Sequence, residues 1–293
     1  MTDDHVYLSL ADAAGEPDGE ARWAYGTGFA DPLLGVDAAP PPDIDPADLA
    51  AYCLMLGDDA LVLSQRLIQW ITRAPELEEE VALANLGLDL LGQARRLLTR
   101  AGQLDGTGRN EDELAYWRED FEYRNVRLVE LENGDFAQCV ARLLLFATAR
   151  EELYRRLADH ADPVLAAVAA LGVKELAYHR EYAQSWTLRL GDGTAHSRER
   201  MQAALDALWP WLDELFTPHE VELRLGVDPL DLREPVLASL AKVLDEATLS
   251  LPEAAPRAYV NGRAGRHGVH TEALGPLLAE LQVVARAHPG ATW

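Results

Sequence analysis

From Pro46 almost to its end, this chain repeats apolar residues at intervals of three and four, and no window alternates convincingly at period two. A half-buried strand needs the second pattern and an amphipathic helix the first, so the chain is restricted to helices packed on helices. Punctuation then divides it. Asp45-Pro46 opens a helix over residues 46–72, with an acid at the N-cap and proline at the first helical position. Ala74-Pro75-Glu76 breaks the chain, and residues 77–101 follow with Leu83, Leu86, Leu90, Ala94 and Leu97 inward. Asn133-Gly134-Asp135 starts a third long helix striped by Phe136, Val140, Leu143, Ala147, Glu151, Tyr154 and Ala158. Asp162-Pro163 starts a fourth, striped by Val164, Val168, Leu171, Glu175, His179, Tyr182 and Trp186. Short connections make these two antiparallel hairpins. Residues 111–121 read as a shorter helix, and 197–216, 230–249 and 271–287 as additional C-terminal helices. The predicted fold class is all-α, a helical bundle.

Composition excludes several functions. A net charge of −23 over 293 residues argues against nucleic acid, whose phosphates need concentrated Lys and Arg, and against anionic membranes. No apolar run approaches a membrane span and no leader pattern is present, which predicts a cytoplasmic protein. Cys53 and Cys139, both in helical stretches, are expected as reduced buried thiols. Residues 1–45 are rich in Asp, Glu, Pro, Gly and Ala with little periodicity and are expected as a mobile acidic extension, of which only 25–34 has the composition to dock; the organised domain spans 46–293. The seven tryptophans are expected mostly in the core.

The chemistry turns on three residues. Glu175 and His179 lie one turn apart on the fourth helix, and Glu151 sits on the inner stripe of the third. A di-iron or di-manganese bundle takes a carboxylate from each of two helices and a Glu-x-x-His pair from each of the other two. The residues three before each histidine are Thr2, Leu157, Leu176, Gly193, Phe216, Ala264, His267 and Ala285, and none is acidic. The second helix presents Leu83, Leu86 and Leu90 where ligands would stand, while Asp89 and Gln93 project towards the polar edge beside Arg96. Leucine cannot ligate a hard cation. Two readings follow: a divergent di-metal oxidase using Glu151, Glu175 and His179, or a buried, mutually satisfied polar cluster with no metal. Asp58 and Asp59 of the first helix are not assigned to core or surface by periodicity. Arg263, Arg266, His267 and His270 form a locally basic, glycine-rich loop suited to a phosphorylated ligand such as coenzyme A or to an acidic partner; His267 and His270 lack the third ligand of a zinc site.

The stretches LGDDALVLSQRL (residues 56–67), APELEEEVALANLGLDLLGQAR (74–95) and KELAYHREYAQSWTLRLGDGT (174–194) closely resemble the structural subunit family of the bacterial phenylacetyl-CoA epoxygenase (ring-1,2-phenylacetyl-CoA epoxidase), as do HTEALGPLLAELQ (270–282) and the terminal Pro-Gly-Ala-Thr-Trp. The resemblance implies a ferritin-like helical bundle with additional C-terminal helices. It implies a homologous catalytic subunit that holds a di-iron centre, and a reductase that supplies electrons from NADPH, with small accessory subunits. It also implies that this chain is a scaffold with no catalytic residue, metal or cofactor of its own. A ferritin-like cage subunit is a third reading, disfavoured because a cage needs a ferroxidase site or a mineral surface.

Overall fold

The computed structural model describes residue 33 and residues 35–291. The chain divides into Met1–Gly35 and Val36–Trp293, and all the helices described belong to the second unit. Most of the acidic extension, with the segment 25–34 apart from Leu33, lies outside the described residues. Residues 36–45 lie within the second unit, and the carbonyl of Ala38 accepts a hydrogen bond from the buried Arg100 at 2.7 Å.

Helix α1, Pro46–Ile68, begins where the sequence predicts, with the Asp45 carboxylate accepting from Ala47 N at 2.9 Å. It stops a turn short of residue 72 because the chain tightens, with Trp70, Ile71 and Arg73 bonding back three residues instead of four. Helix α2, Leu77–Leu104, runs longer than predicted. Gly102 permits this: a Cβ there would lie 1.8 Å from the Arg109 carbonyl of the returning loop. Helix α3, Glu111–Tyr116, is fixed by a capping box between Asn110 and Glu113, and it ends before the predicted residue 121. A 3-10 turn at Asp120–Glu122 and a short helix α4, Arg127–Glu130, complete this connection. Helices α5, Phe136–Leu157, and α6, Pro163–Gly191, match the third and fourth predicted helices, with Asp135 and Asp162 as caps. Beyond them α7, Ala195–Leu208, gives way to a 3-10 segment, Trp209–Phe216, where Pro210 removes an amide and forbids one continuous helix. Helix α8, Glu220–Arg224, escapes the sequence pattern because it is barely one turn long. Helices α9, Arg233–Glu246, and α10, Leu274–Ala287, are trimmed versions of the last two predicted. Among the described residues the β pairing is a single isolated bridge, Val260 with Arg263.

The fold is therefore all-α. Helix α1 packs along α2 and α5 along α6, giving two hairpins, and α2 also meets α6. Leu83, Leu86, Leu90, Ala94 and Leu97 are all buried, as their period requires, and Val140, Leu143, Ala147 and Tyr154 fill the facing side of α5. Cys53 and Cys139 are buried free thiols, their pKa values pushed up by burial. The tryptophan expectation fails: of Trp70, Trp117, Trp186, Trp209 and Trp211, Trp70 alone is buried and Trp117 is exposed. Trp70 and Trp186 pack edge-to-face on either side of Phe136.

The hairpins are tied by a buried ion pair. Asp162 caps α6 by accepting from Leu165 N at 2.8 Å, and its other oxygen receives Arg100 of α2. Removing one member strands the other charge, so Arg100→Met is expected to lower stability by about 3 to 5 kcal/mol. Urea unfolding checks this, and a loss below about 1 kcal/mol would contradict the pair's role.

Candidate functional site in the bundle interior

The stripe containing Glu175 and His179 does not point to the bundle centre. A buried line of α6, Leu165, Ala169, Gly172, Leu176, Ala183 and Thr187, runs roughly 90° round the helix from the predicted stripe at 100° per residue, although Val168 and His179 of that stripe are buried as well. The predicted stripe instead forms the seam with α2. His179 Nε2 lies 3.0 Å from Asp89 Oδ2, Gln93 Nε2 donates to Glu175 Oε2 at 2.8 Å, and Trp186 Nε1 donates to Glu79 Oε2 at 2.9 Å. The Tyr182 hydroxyl also bonds Glu79. Gln93 is buried beneath α6, which corrects its placement at a polar edge, whereas Asp89 keeps 36% of its side chain exposed, as an edge position allows.

The three predicted site residues are consequently divided between different partners. Glu151 is buried but faces cations, with Arg155 on one oxygen and Arg180 Nε 2.8 Å from the other. His179 is fully buried against Asp89, and Glu175 is only half-buried against Gln93. Burial pushes Glu175 above the usual carboxylate range, the Gln93 hydrogen bond opposes this, and the charge of Asp89 adds to the push. No mutually satisfied triad forms, which corrects that reading. As a ligand set the residues fit poorly, since both oxygens of Glu151 face guanidinium groups, His179 Nε2 faces Asp89 and Glu175 Oε2 accepts from Gln93, and Leu83, Leu86 and Leu90 occupy the α2 positions; His179 Nδ1 is left buried without a hydrogen-bond partner. Among the described residues no group of three or more His, Cys, Asp and Glu is placed to hold a metal ion.

The strongest polar constellation lies on α1, at the two aspartates that periodicity left unassigned. Both are fully buried. Adjacent helical residues point about 100° apart, so each carboxylate serves a different segment. Asp58 receives both Nη atoms of Arg118 and, at 2.8 Å, the amide of Arg124. Asp59 accepts from Val126 N at 2.7 Å and from Arg266 Nη2 at 2.8 Å, and it also pairs with Arg150 of α5. Two guanidinium groups therefore meet one carboxylate between α1 and α5, and the interior there is closed by cations of the chain itself.

This overturns the free basic loop. Arg266 is buried, donating also to the carbonyls of Met55 and Arg124 at 2.9 Å each. Its positive form is held firmly, as burial's penalty is outweighed by Asp59 and Glu222. His270 is held between Glu130 Oε2 at 2.7 Å and the Tyr123 carbonyl at 3.0 Å. His267 packs against His219 with ring centroids 4.7 Å apart and the rings tilted by 54°. Arg263 alone of the four stays exposed, donating to the His267 carbonyl at 3.1 Å. Two glycines of this segment allow close packing: a Cβ on Gly265 would lie 2.0 Å from the Asn125 carbonyl, and one on Gly268, where φ is +72°, 2.2 Å from the Phe121 carbonyl. A surface recess of about 540 Å³ involves Arg156, His160, Arg224 and Asp231 and none of the predicted site residues.

The matching family model is the phenylacetic acid catabolic protein model, over residues 36–293. The chain is also 45% identical over 250 residues to one of the subunits of the 1,2-phenylacetyl-CoA epoxidase of Escherichia coli strain K12, covering 84% of this chain and 99% of that relative.

Two measurements follow from this geometry. In double-mutant cycles by thermal unfolding, His179→Leu should couple more strongly to Asp89→Leu than to Glu175→Leu; equal coupling would restore the triad. Stability should also respond to two histidines with opposite signs. His219 is pushed down to about 4, first by burial and then by His267 and Arg266, so the unfolded chain takes up the proton first. Its contribution is present above pH about 6.5 and lost as pH falls towards 4. His270 is raised, since burial's opposition is outweighed by Glu130, so its contribution is full below the unfolded value and lost as pH rises through the folded one. Urea midpoints against pH should lose the acid-side fall in His219→Asn and the alkaline-side fall in His270→Gln.

Proposed function

The chain belongs to the phenylacetic acid catabolic protein family, and we propose that within it the chain is the structural subunit of a multicomponent phenylacetyl-CoA 1,2-epoxidase. In this reading a homologous subunit holds the di-iron centre and epoxidises the aromatic ring, a reductase delivers electrons from NADPH, and small accessory subunits complete a cytoplasmic assembly. The observation that supports it is the filling of the bundle interior. Asp59 is neutralised by Arg150 and Arg266, Glu151 by Arg155 and Arg180, and α2 presents leucines, so a dication would have to displace guanidinium groups already paired with these buried carboxylates. A bundle closed in this way is rigid but has no open coordination position for oxygen. Among the described residues no helix is long and apolar enough to cross a membrane.

Purification from iron-supplemented medium, alone and with the catalytic subunit, tests this reading. The chain alone is expected to carry well under one iron and no oxo-bridged absorption band, while the complex gains iron and turns over phenylacetyl-CoA with NADPH and the reductase. About two irons per chain, lost in Glu151→Leu or His179→Leu, would establish a di-metal oxidase using Glu151, Glu175 and His179 and sink the scaffold.

A further inference from the structure

The chain holds two Asn-Gly sequences, Asn133-Gly134 and Asn261-Gly262, and the fold treats them differently. Such a pair is chemically labile. The backbone nitrogen of the glycine can attack the side-chain carbonyl carbon of the asparagine, and a glycine has no Cβ to shield that nitrogen. In a folded protein the attack needs two freedoms: the side-chain amide must rotate towards the next nitrogen, and the backbone between them must leave its native conformation.

Asn133 has neither freedom. Its Nδ2 donates to the Arg66 carbonyl at 2.7 Å and to Gln69 Oε1 at 3.3 Å, and its Oδ1 accepts from the buried Arg142. Gly134 is hemmed in as well, since a Cβ there would lie 1.0 Å from Gln138 Oε1. The amide of Asn133 thus joins the end of α1 to the start of α5.

Asn261 has both. It is exposed, with Gly262 and Arg263 exposed beside it, and neither its side-chain amide nor Gly262 N is in a hydrogen bond among the described residues. A Cβ on Gly262 would meet nothing within 4 Å, so the space around the attacking nitrogen is open. The two central residues have φ of 53° and 75°, the pairing that a type I′ turn demands and that Asn-Gly supplies. Val260 N to Arg263 O and Arg263 N to Val260 O, each 3.0 Å, close the turn. These bonds form an isolated bridge with no ladder beyond it, so opening the turn breaks little else.

We propose that Asn261 is a site of spontaneous deamidation in the folded chain and that Asn133 is protected from the same reaction. Hydroxide takes the Gly262 N–H proton and the nitrogen attacks Asn261 Cγ. The new C–N bond closes a five-membered succinimide as the C–NH2 bond breaks, and ammonia leaves with a proton returned from water. Water then opens either imide C–N bond, giving aspartate or isoaspartate; no oxidant or reductant is consumed. The carboxylate produced lies two residues from Arg263, and the isoaspartate form lengthens the main chain by one methylene, which the two-residue turn cannot accommodate. The change stops at the turn, because Arg266 stays fixed by Asp59 and by the carbonyls of Met55 and Arg124.

Incubation of the full chain in mildly alkaline buffer at body temperature, followed by tryptic peptide mapping, tests the proposal. Cleavage after Arg257 and Arg263 isolates Asn261 in residues 258–263, and cleavage after Arg127 and Arg142 isolates Asn133 in residues 128–142. Each conversion adds about one dalton, and enzymatic methylation scores the isoaspartate. The same incubation in urea gives the intrinsic ratio of the two rates. In the folded chain that ratio should favour Asn261 by a further factor of about ten or more, since Asn133 must first give up three hydrogen bonds. Conversion at Asn261 should accelerate with pH, and Asn261→Gln, which would have to close a six-membered ring, should remove the mass gain from its peptide. The urea midpoint of the converted chain should match that of the fresh chain. A folded ratio no greater than the unfolded one overturns the proposal, and a midpoint that falls in step with the mass gain overturns the confinement of the change to the turn.

Discussion

Asp59 and its two guanidinium partners bind together parts of the chain that the helical pattern alone would leave apart. Arg150 comes from α5, Arg266 from the segment near the C-terminus and the amide of Val126 from the connection between the hairpins, and all three end on one carboxylate of α1. Asp58, one residue earlier, holds Arg118 and Arg124 N in the same manner. Burying these charges costs several kcal/mol for each ion, and only the full set of hydrogen bonds offsets it. The arrangement therefore tolerates one geometry: α1, α5, residues 118–130 and residues 260–271 are either all in place or all destabilised. Neighbouring pairs extend it, since Glu214 joins Arg127 to Gly265 N and Glu130 joins Asn125 to His270 and Thr271.

This interior has a chemical consequence. A bundle that opens a site between its helices leaves carboxylates and imidazoles facing one another with room for a cation. Here the cations are guanidinium groups, which neutralise the carboxylates yet have neither a Lewis-acid orbital nor a redox couple to offer. Such a core is held in shape by its own side chains.

The seam between α2 and α6 shows how far apart a stripe and a core can be. Glu175 and His179 share a line with Val164 and Val168, and that line reads as inward-facing. In the folded chain it faces a neighbouring helix that supplies Asp89 and Gln93, so Glu175 and His179 find their partners on α2 and not on each other. Gly172 explains part of the offset. A Cβ there would lie 2.5 Å from the Tyr154 ring, so α6 presses its small-residue side against α5 and turns the polar line towards α2.

The sequence by itself determined the helical class, the two hairpins and the buried leucines of α2, because the period of 3.6 and the placement of Pro, Gly, Asn and Asp are local properties of the chain. It also excluded the Glu-x-x-His pattern, which is a matter of counting residues. Tertiary structure alone decided where the polar groups look. Period specifies a direction round one helix axis, but whether that direction holds core, solvent or another helix depends on neighbours far away in the chain: Asp59 meets Arg266 across more than two hundred residues, and His179 meets Asp89 across ninety. Arg266 and His270 looked free because their loop is rich in glycine, whereas those glycines let the backbone approach Asn125 and Phe121 closely enough to bury both side chains. A local pattern can assign an element and its faces, and only long-range pairing of charges can say which face is silent.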